Sequence, residues 1–427
     1  MFETLKSAWH VPELRKKILY TAFIILLFRA GSSIPVPYVD IAALATYFDS
    51  VANTMLGFMN VFAGGGLSHA TIFAMSVTPY INASIIIQLL TVAIPALERM
   101  VREGGEEGQK KISAITRYVG VALGLLQGYS YYVLLRSNNL ITHTDFWHGL
   151  VIVLTFTAGT ALIMWMGELI TKNGVGNGIS MILFAGIVSR GPAMVGSMIE
   201  MVRNGGVSYA IAALVIVVSL AIIVFVVYIT NAERRIPIQY AKRMVGRKMY
   251  GGQSTHLPIK VNASGVMPII FSASIMSLPS TIKMMVNPTP GSLSDTIFNF
   301  FSSNHPVYIV LYIGLIYLFS YFYAAIQFNP IEIANNLKKN GGFIPGFRPG
   351  RPTSDFIAKA LGKVTFMGAI FLSIVAGIPL IIGAFNSSLS GVALGGTSVL
   401  IMVGVALETV RQLESQLMMR NYKGFLE

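Results

Sequence analysis

Ten apolar runs, each roughly 17 to 25 residues long, divide this chain, and that is the length an α-helix needs to cross about 30 Å of hydrocarbon. They fall near residues 18–37, 70–92, 114–135, 149–170, 179–199, 209–230, 263–282, 306–326, 364–383 and 397–416. The gaps between them are not alike. Four Lys or Arg precede the first run, five lie between run 2 and the start of run 3 (the fifth, Arg117, just inside it), one between 4 and 5, seven between 6 and 7, six between 8 and 9, and three at the end of run 10 and beyond (Arg411, Arg420 and Lys423). The other face holds only Arg136, Arg190 (within the outer part of run 5), Arg203 and Lys283. Cationic loops remain on the cytoplasmic side of a membrane, so both termini are expected there. A composition of 54% hydrophobic and 11% charged residues excludes a soluble globular surface. The expectation is an all-α, polytopic integral membrane protein with ten transmembrane helices.

The formal charge of +13 sits in the cytoplasmic loops, where it suits anionic headgroups or an acidic partner such as RNA. With no cysteine, disulfides and thiolate metal sites are excluded. The first apolar run follows a basic stretch and continues long enough to span, so it reads as a helix that stays and not as a cleaved leader. Ahead of it, Phe2, Leu5 and Trp9 recur at helical spacing, which suits an interfacial helix; a frayed tail fits equally, and Pro12 requires any such helix to restart.

Gly57 to Ser68 is apolar yet too short and too glycine-rich to span. With Gly64, Gly65 and Gly66 at its end it supports only a half-helix. Irregular backbone at membrane depth is tolerated where protein buries it or where it lines a cavity, so one reading is a re-entrant element over a cavity. The other is an outer loop lying at the interface.

Runs 2 and 7 share a pattern. Val77-Thr78-Pro79-Tyr80-Ile81 precedes Asn82, Ser84 and Gln88, and Val266-Met267-Pro268-Ile269-Ile270 precedes Ser272, Ser274, Ser277 and Ser280. One runs inward and the other outward, as in an inverted repeat of five plus five helices. That divides the chain into an N-terminal half, 1–200, and a C-terminal half, 201–427. Polar stripes belong at helix interfaces or facing water, so ordinary packing and a pore lining both fit.

Charge within the spans is scarce, and the main cases are Arg29, Glu168 near the inner end of run 4, and Glu408. Ion-coupled transporters usually carry carboxylates or histidines at the midplane, and no such set is present. His143 and His148 lie on an outer loop without a third metal ligand. No zinc-protease, P-loop or nucleophile-elbow motif occurs, so no enzyme chemistry and no cofactor is expected. Two cytoplasmic loops, 231–262 and 327–363, alternate Pro and Gly with Arg, Lys and aromatics, which suits structured protrusions that present cations. Anchoring of the inner leaflet is the plainer alternative.

Several ordered segments together resemble the SecY family of Sec translocon channel subunits. They are FRAGSSIPVPYVD (28–40), NVFAGGGLSHATIFAMSVTPYINASIIIQLL (60–90), GELITKNGVGNGISMILFAGIV (167–188), RRIPIQYAKR (234–243), QSTHLPIKVNASGVMPIIFSASI (253–275), FNPIEIANNLKKNGGFIPGFRPGRPT (328–353) and GGTSVLIMV (395–403). The resemblance implies two five-helix halves around an hourglass channel. Its constriction would be Val77, Ile81, Ile179, Leu183, Ile270 and Ile401, with valine and leucine at 77 and 183 where many relatives carry isoleucine. The plug would be the half-span at 57–68, marked by Phe62, Gly64, Gly65 and Gly66. The lateral gate would be runs 2 and 7, with Asn82, Gln88, Ser272 and Ser274. Docking of a motor or ribosome would use Arg243, Arg247, Arg348 and Arg351.

The implied activity is passive conduction of unfolded polypeptide across the bacterial plasma membrane, with lateral release of transmembrane segments into lipid. The implied partners are SecE and SecG, the SecA ATPase, the ribosome, YidC, and precursor proteins with their signal sequences. An apolar collar offers passing ions no hydrogen-bonding groups and resists wetting when narrow. A secondary transporter of a small solute is the competing reading, and a membrane-anchored RNA-binding scaffold is a third.

Overall fold

The computed structural model describes residues 2–51, 60, 63–143, 145–203, 208–240, 243–245, 248–250, 254–262, 264–286, 292–302, 305–385 and 395–423. A helix lies at each of the ten apolar runs. One short helix precedes the first: α1 (Phe2–His10) breaks at Val11, and α2 (Pro12–Gly31), which carries the first run, restarts on Pro12, which fills a first-turn position whose N–H has no helical partner. The interfacial-helix reading of the N-terminus thus holds as far as a helix, packed through Ala8 against Leu14, Val175 and Leu413.

Next come α3 (Ile41–Ser50), α4 (Thr78–Ala93), α5 (Pro95–Arg102), α6 (Gly105–Ser137), α7 (Phe146–Asn173), α8 (Gly178–Ser189), α9 (Gly191–Arg203) and α10 (Tyr209–Asn231). After a strand-containing segment follow α11 (Met267–Val286), α12 (Leu293–Phe300), α13 (Pro306–Gln327), α14 (Pro330–Lys339), α15 (Arg351–Phe385) and α16 (Gly395–Lys423). By length and composition, five described stretches suffice to cross a membrane: Gly105–Ser137, Phe146–Asn173, Met267–Val286, Pro306–Lys339 and Arg351–Ile378. The pair α4 and α5 makes a sixth, bent by 105° before Pro95, whose ring cannot continue the helix behind it.

Several ends differ from the sequence reading. Run 2 was expected to be helical from about residue 70, yet α4 starts at Thr78, and residues 63–77 are a chain of turns. Ala70 (φ 42°) and Ser76 (φ 50°) adopt left-handed backbone, which a helix cannot include. Run 1 ends at Gly31, because Pro35 instead pairs with Thr71 in a β-bridge. Run 5 is divided at Arg190 into α8 and α9.

The chain is not helical throughout. Strands β1 (Glu233–Tyr240), β2 (Arg243–Val245), β3 (Lys248–Tyr250), β4 (Ser254–Lys260) and β5 (Gly342–Phe343) lie in the two long basic loops. They form an antiparallel sheet in the order β4-β1-β5 and a separate β2-β3 pair. Ile236 and Ile238 alternate with exposed neighbours along β1 and bury their side chains, as a one-faced strand requires. Their core includes Ile259, Leu337, Ile344, Ile357 and Leu361, so the two loops fold onto each other and onto the start of α15.

Between the helices, α4 packs on α6, α6 on α7, and α2 on α7 and α8. In the second set α13 packs on α11 and α15, and α16 on α10 and α15. The sets meet where α11 touches α4 and α6, and where α8 touches α16.

Candidate functional site

Four helices deliver branched aliphatic side chains to one place. Val77 is the residue before α4, and Ile81 follows one turn into it. The side chain of Asn177 accepts hydrogen bonds from the N–H groups of Ile179 and Ser180, which sets the start of α8 so that Ile179 and Leu183 stand one turn apart. Ile270 comes from α11 and Ile401 from α16. Val77, Ile81, Leu183, Ile270 and Ile401 are buried members of one hydrophobic cluster, and half-buried Ile179 packs against it. The repeated V-x-P pattern has a structural counterpart. In both α4 and α11 the proline is the second helical residue and the valine before it enters this same cluster.

Ahead of α4, Phe73 and Val77 join this cluster, whereas Ala63, Leu67, Ala70, Ala74 and Met75 belong to a second one with Tyr131 and Leu135 of α6 and Phe156 of α7. Gly64 (φ 63°) and Gly65 (φ 88°) occupy left-handed backbone, and a methyl on Gly64 would stand 3.1 Å from the backbone of Gly186 in α8. The phenol of buried Tyr131, on α6, donates to the carbonyl of Leu67 at 2.6 Å. The backbone N–H of Ser68 donates to the Asn60 side chain at 3.0 Å, and that of Gly65 to the Asn60 carbonyl at 2.9 Å. The backbone is irregular but hydrogen-bonded at these points, with Ala63, Gly66, Leu67 and Ala70 buried, Gly64, Gly65 and Ser68 half-buried and His69 exposed. Of the half-span expected at 57–68, residues 57–59 and 61–62, Phe62 included, lie outside the described residues, and residues 63–68 are turns and not helix, as the left-handed Gly64 and Gly65 require.

A cavity of about 410 Å³ adjoins the aliphatic cluster, lined on one side by Ile81, Ile179, Leu183 and Ile270. Its polar lining includes Ser84, Gln88, Ser180, Tyr80 and Tyr323, and it contains an ion pair between Arg117 on α6 and Glu168 on α7 at 2.7 Å. The chain thus places a chamber with polar and charged lining against an apolar collar.

The polar stripes of α4 and α11 are satisfied differently. Ser272 donates to the Pro268 carbonyl, Ser277 to that of Ser274, and Thr281 to that of Ser277, all within α11. Ser274 is buried beside them. Gln88 reaches Ser84 on its own helix at 3.3 Å. Asn82 is buried, and its amide finds no partner among the described residues.

A family model described as SecY matches residues 71–410. The chain belongs to the SecY family. A protein translocase subunit SecY of Streptomyces scabiei is 43% identical over 440 residues, spanning 100% of both chains. That of Mycobacterium bovis is 44% identical over 448 residues, again 100% of both. A solved structure described as a protein conducting channel superposes with a TM-score of 0.65 at 18% identity, covering 94% of this chain and 92% of that one. Another, of a SecY protein whose plug domain stabilises the closed state, gives 0.63 at 17% identity over 94% and 92%. At these identities the superpositions carry the fold: a multi-pass helical membrane protein.

The expected docking residues fare unevenly. Arg348 is exposed at the tip of a turn set by Gly346 (φ 86°) and Gly350 (φ 107°), with its carbonyl held by the Thr353 hydroxyl at 2.8 Å. Arg351 is exposed at the start of α15. Arg243 lies in β2, and Arg247 falls outside the described residues. At the foot of the sheet, Arg411 of α16 donates to the Thr230 carbonyl at 3.0 Å and to the Asn231 side chain at 2.6 Å. Burial, and then Arg411, hold the Lys260 ammonium below its ordinary pKa, partly offset by Glu233 and Glu408. On the other end of the molecule, the His143 and His148 rings stack at 5.1 Å, and His148 meets Tyr38 edge-on at 4.4 Å. The described residues hold no cluster of three metal-ligating groups.

Sequence reasoning missed the pairing of Arg117 with Glu168 and that of Tyr131 with Leu67. Glu168 was visible as a rare charge near a span end, but Arg117 counted only toward the sign of a loop. Nothing in spacing joins residues 64 apart.

Proposed function

We propose that this chain is the pore-forming subunit of a Sec translocon in a bacterial plasma membrane, a passive conduit for unfolded polypeptide that also releases apolar segments sideways into lipid. One observation carries the reading: six aliphatic side chains from four helices converge on one cluster, with a half-buried glycine turn set against α8 and a polar chamber adjoining the cluster. Val77, Ile81, Ile179, Leu183, Ile270 and Ile401 form the constriction. Such a collar closes around an extended chain of any sequence and offers a passing ion no ligand. The turn at Gly64, Gly65 and Gly66 belongs to the plug, which leaves when a chain enters.

The halves 1–200 and 201–427 part at the contact of α4 with α11, where Asn82, Gln88, Ser272 and Ser274 line the lateral gate. Both termini and the strand-bearing loops are cytoplasmic. There Arg243, Arg247, Arg348 and Arg351 meet the SecA ATPase or the ribosome, which supply the work; SecE, SecG and YidC complete the assembly. Solved relatives include a Sec61 in a canine ribosome–channel complex, which supports the ribosome as a partner.

Because the chain has no cysteine, single cysteines at Ile81, Ile270 and Ile401 test the reading directly. Each is expected to form an adduct with a cysteine in a stalled precursor. Labelling by a small-solute analogue, without precursor adducts, would instead support the transporter reading, which family membership already disfavours.

A further inference from the structure

The chamber beside the collar carries one carboxylate. Among the described residues that line it, Glu168 is the acid and Arg117 and Lys172 are the cations. The contact of Arg117 with Glu168 closes between two helices and stays partly open, with the side chains 51% and 33% exposed respectively. A partner from outside therefore reaches Glu168 without unfolding anything. The aliphatic side chains of Ile81, Ile179, Leu183 and Ile270 form another wall of the same space.

Carboxylate and aliphatic wall together are complementary to one kind of peptide: a cationic stretch joined to an apolar run. Export signals have that build, a positively charged leader ahead of 7–15 apolar residues. We propose that Glu168 reads the positive charge of an arriving signal, and that Arg117 is the resident cation which a substrate lysine or arginine displaces. The inference rests on the proposed reading of this chain as a polypeptide-conducting channel and takes this chamber, which adjoins its constriction, as the place where an arriving signal is met.

The exchange has a physical logic. Replacing one cation by another on a single carboxylate conserves the ion pair, so the signal is held without being trapped. Arg117 and Lys172 meanwhile make every other place in the chamber unfavourable for a cation, since like charges at short range repel. A neutral leader gains nothing at Glu168 and has to compete against an intact Arg117–Glu168 pair.

The test uses the full translocon in its host, with two precursors that differ only in carrying three lysines or three glutamines ahead of the apolar run. The readout is the ratio of their export rates within each variant, so a general loss of activity cancels. Glu168→Gln is expected to lower the ratio about fivefold, equivalent to about 1 kcal/mol. Arg117→Gln, which frees the carboxylate, is expected to raise it. A pair that merely braces α6 against α7 would shift the ratio alike in both variants or not at all, and either result overturns the proposal. Should Glu168→Gln fail to assemble, Arg117→Gln decides alone: a ratio equal to or below the parent's refutes it. Precursor adducts at Ile81, Ile270 and Ile401 with an unresponsive ratio would sink this inference while leaving the conduction reading intact.

Discussion

Tyr131→Phe isolates what holds the glycine turn in place. The ring of Tyr131 is fully buried and meets Phe156 edge-on at 5.3 Å, contacts that phenylalanine preserves. Only the hydrogen bond from the phenol to the Leu67 carbonyl is removed. That carbonyl also accepts the N–H of Ala70 at 3.1 Å, so it is not left orphaned. The cost therefore falls at the net value of one bond, about 0.5–1.5 kcal/mol, and not at the larger penalty for a stranded buried group. If the turn leaves when a chain enters, the bond exists only in the sealed state, and its loss raises the ratio of open to sealed channels about two- to twelvefold. Ion conductance of bilayers holding the translocon without precursor should rise by that factor. A lowered thermal midpoint in detergent with unchanged conductance would refute the reasoning, because the bond would then brace α6 and not the seal.

At Gly178, the first residue of α8, an added methyl would land on the carbonyl oxygen of Gly167 in α7. Gly178→Ala should therefore cost about 1–3 kcal/mol or more in thermal unfolding, because backbone cannot step aside as a side chain does. The matched control Gly191→Ala meets nothing within 4 Å and should stay within about 0.5 kcal/mol; equal losses would contradict this account. For Lys260 the fold lowers the pKa, so the charged form carries a penalty that is fully present below the folded value and relieved as pH rises toward the ordinary 10.5. Stability should thus rise with pH in that window relative to Lys260→Met, and a titration of the methylated lysine by NMR that showed an upward shift would reverse the sign.

Apolar length alone located a helix at each of the ten runs, because a span in lipid must satisfy its backbone internally and can be little else. The positions of Val77, Ile81, Ile270 and Ile401 at one place came from the family resemblance; by their residue types they read as ordinary core. What stayed hidden was decided by contacts distant in sequence. Residues 70–77 read as apolar helix, and only the pairing of Pro35 with Thr71 and the left-handed turns at Ala70 and Ser76 unwind them. The strands escaped notice because Arg234 to Tyr240 is short and rich in charge. Its alternation becomes meaningful only once β4 and the Leu337 side of the second loop are there to cover it.

The hydroxyls of α11 bear on what it costs for α4 and α11 to separate. Ser272, Ser277 and Thr281 each keep a partner on their own helix. Drawing that helix out against acyl chains would strand none of these three groups. The work of opening such a seam grows with the contact area surrendered, a smooth toll set by shape. An arriving segment that presents comparable greasy area can therefore replace what was lost, nearly atom for atom, and the two helices can close again behind it without having to find lost partners.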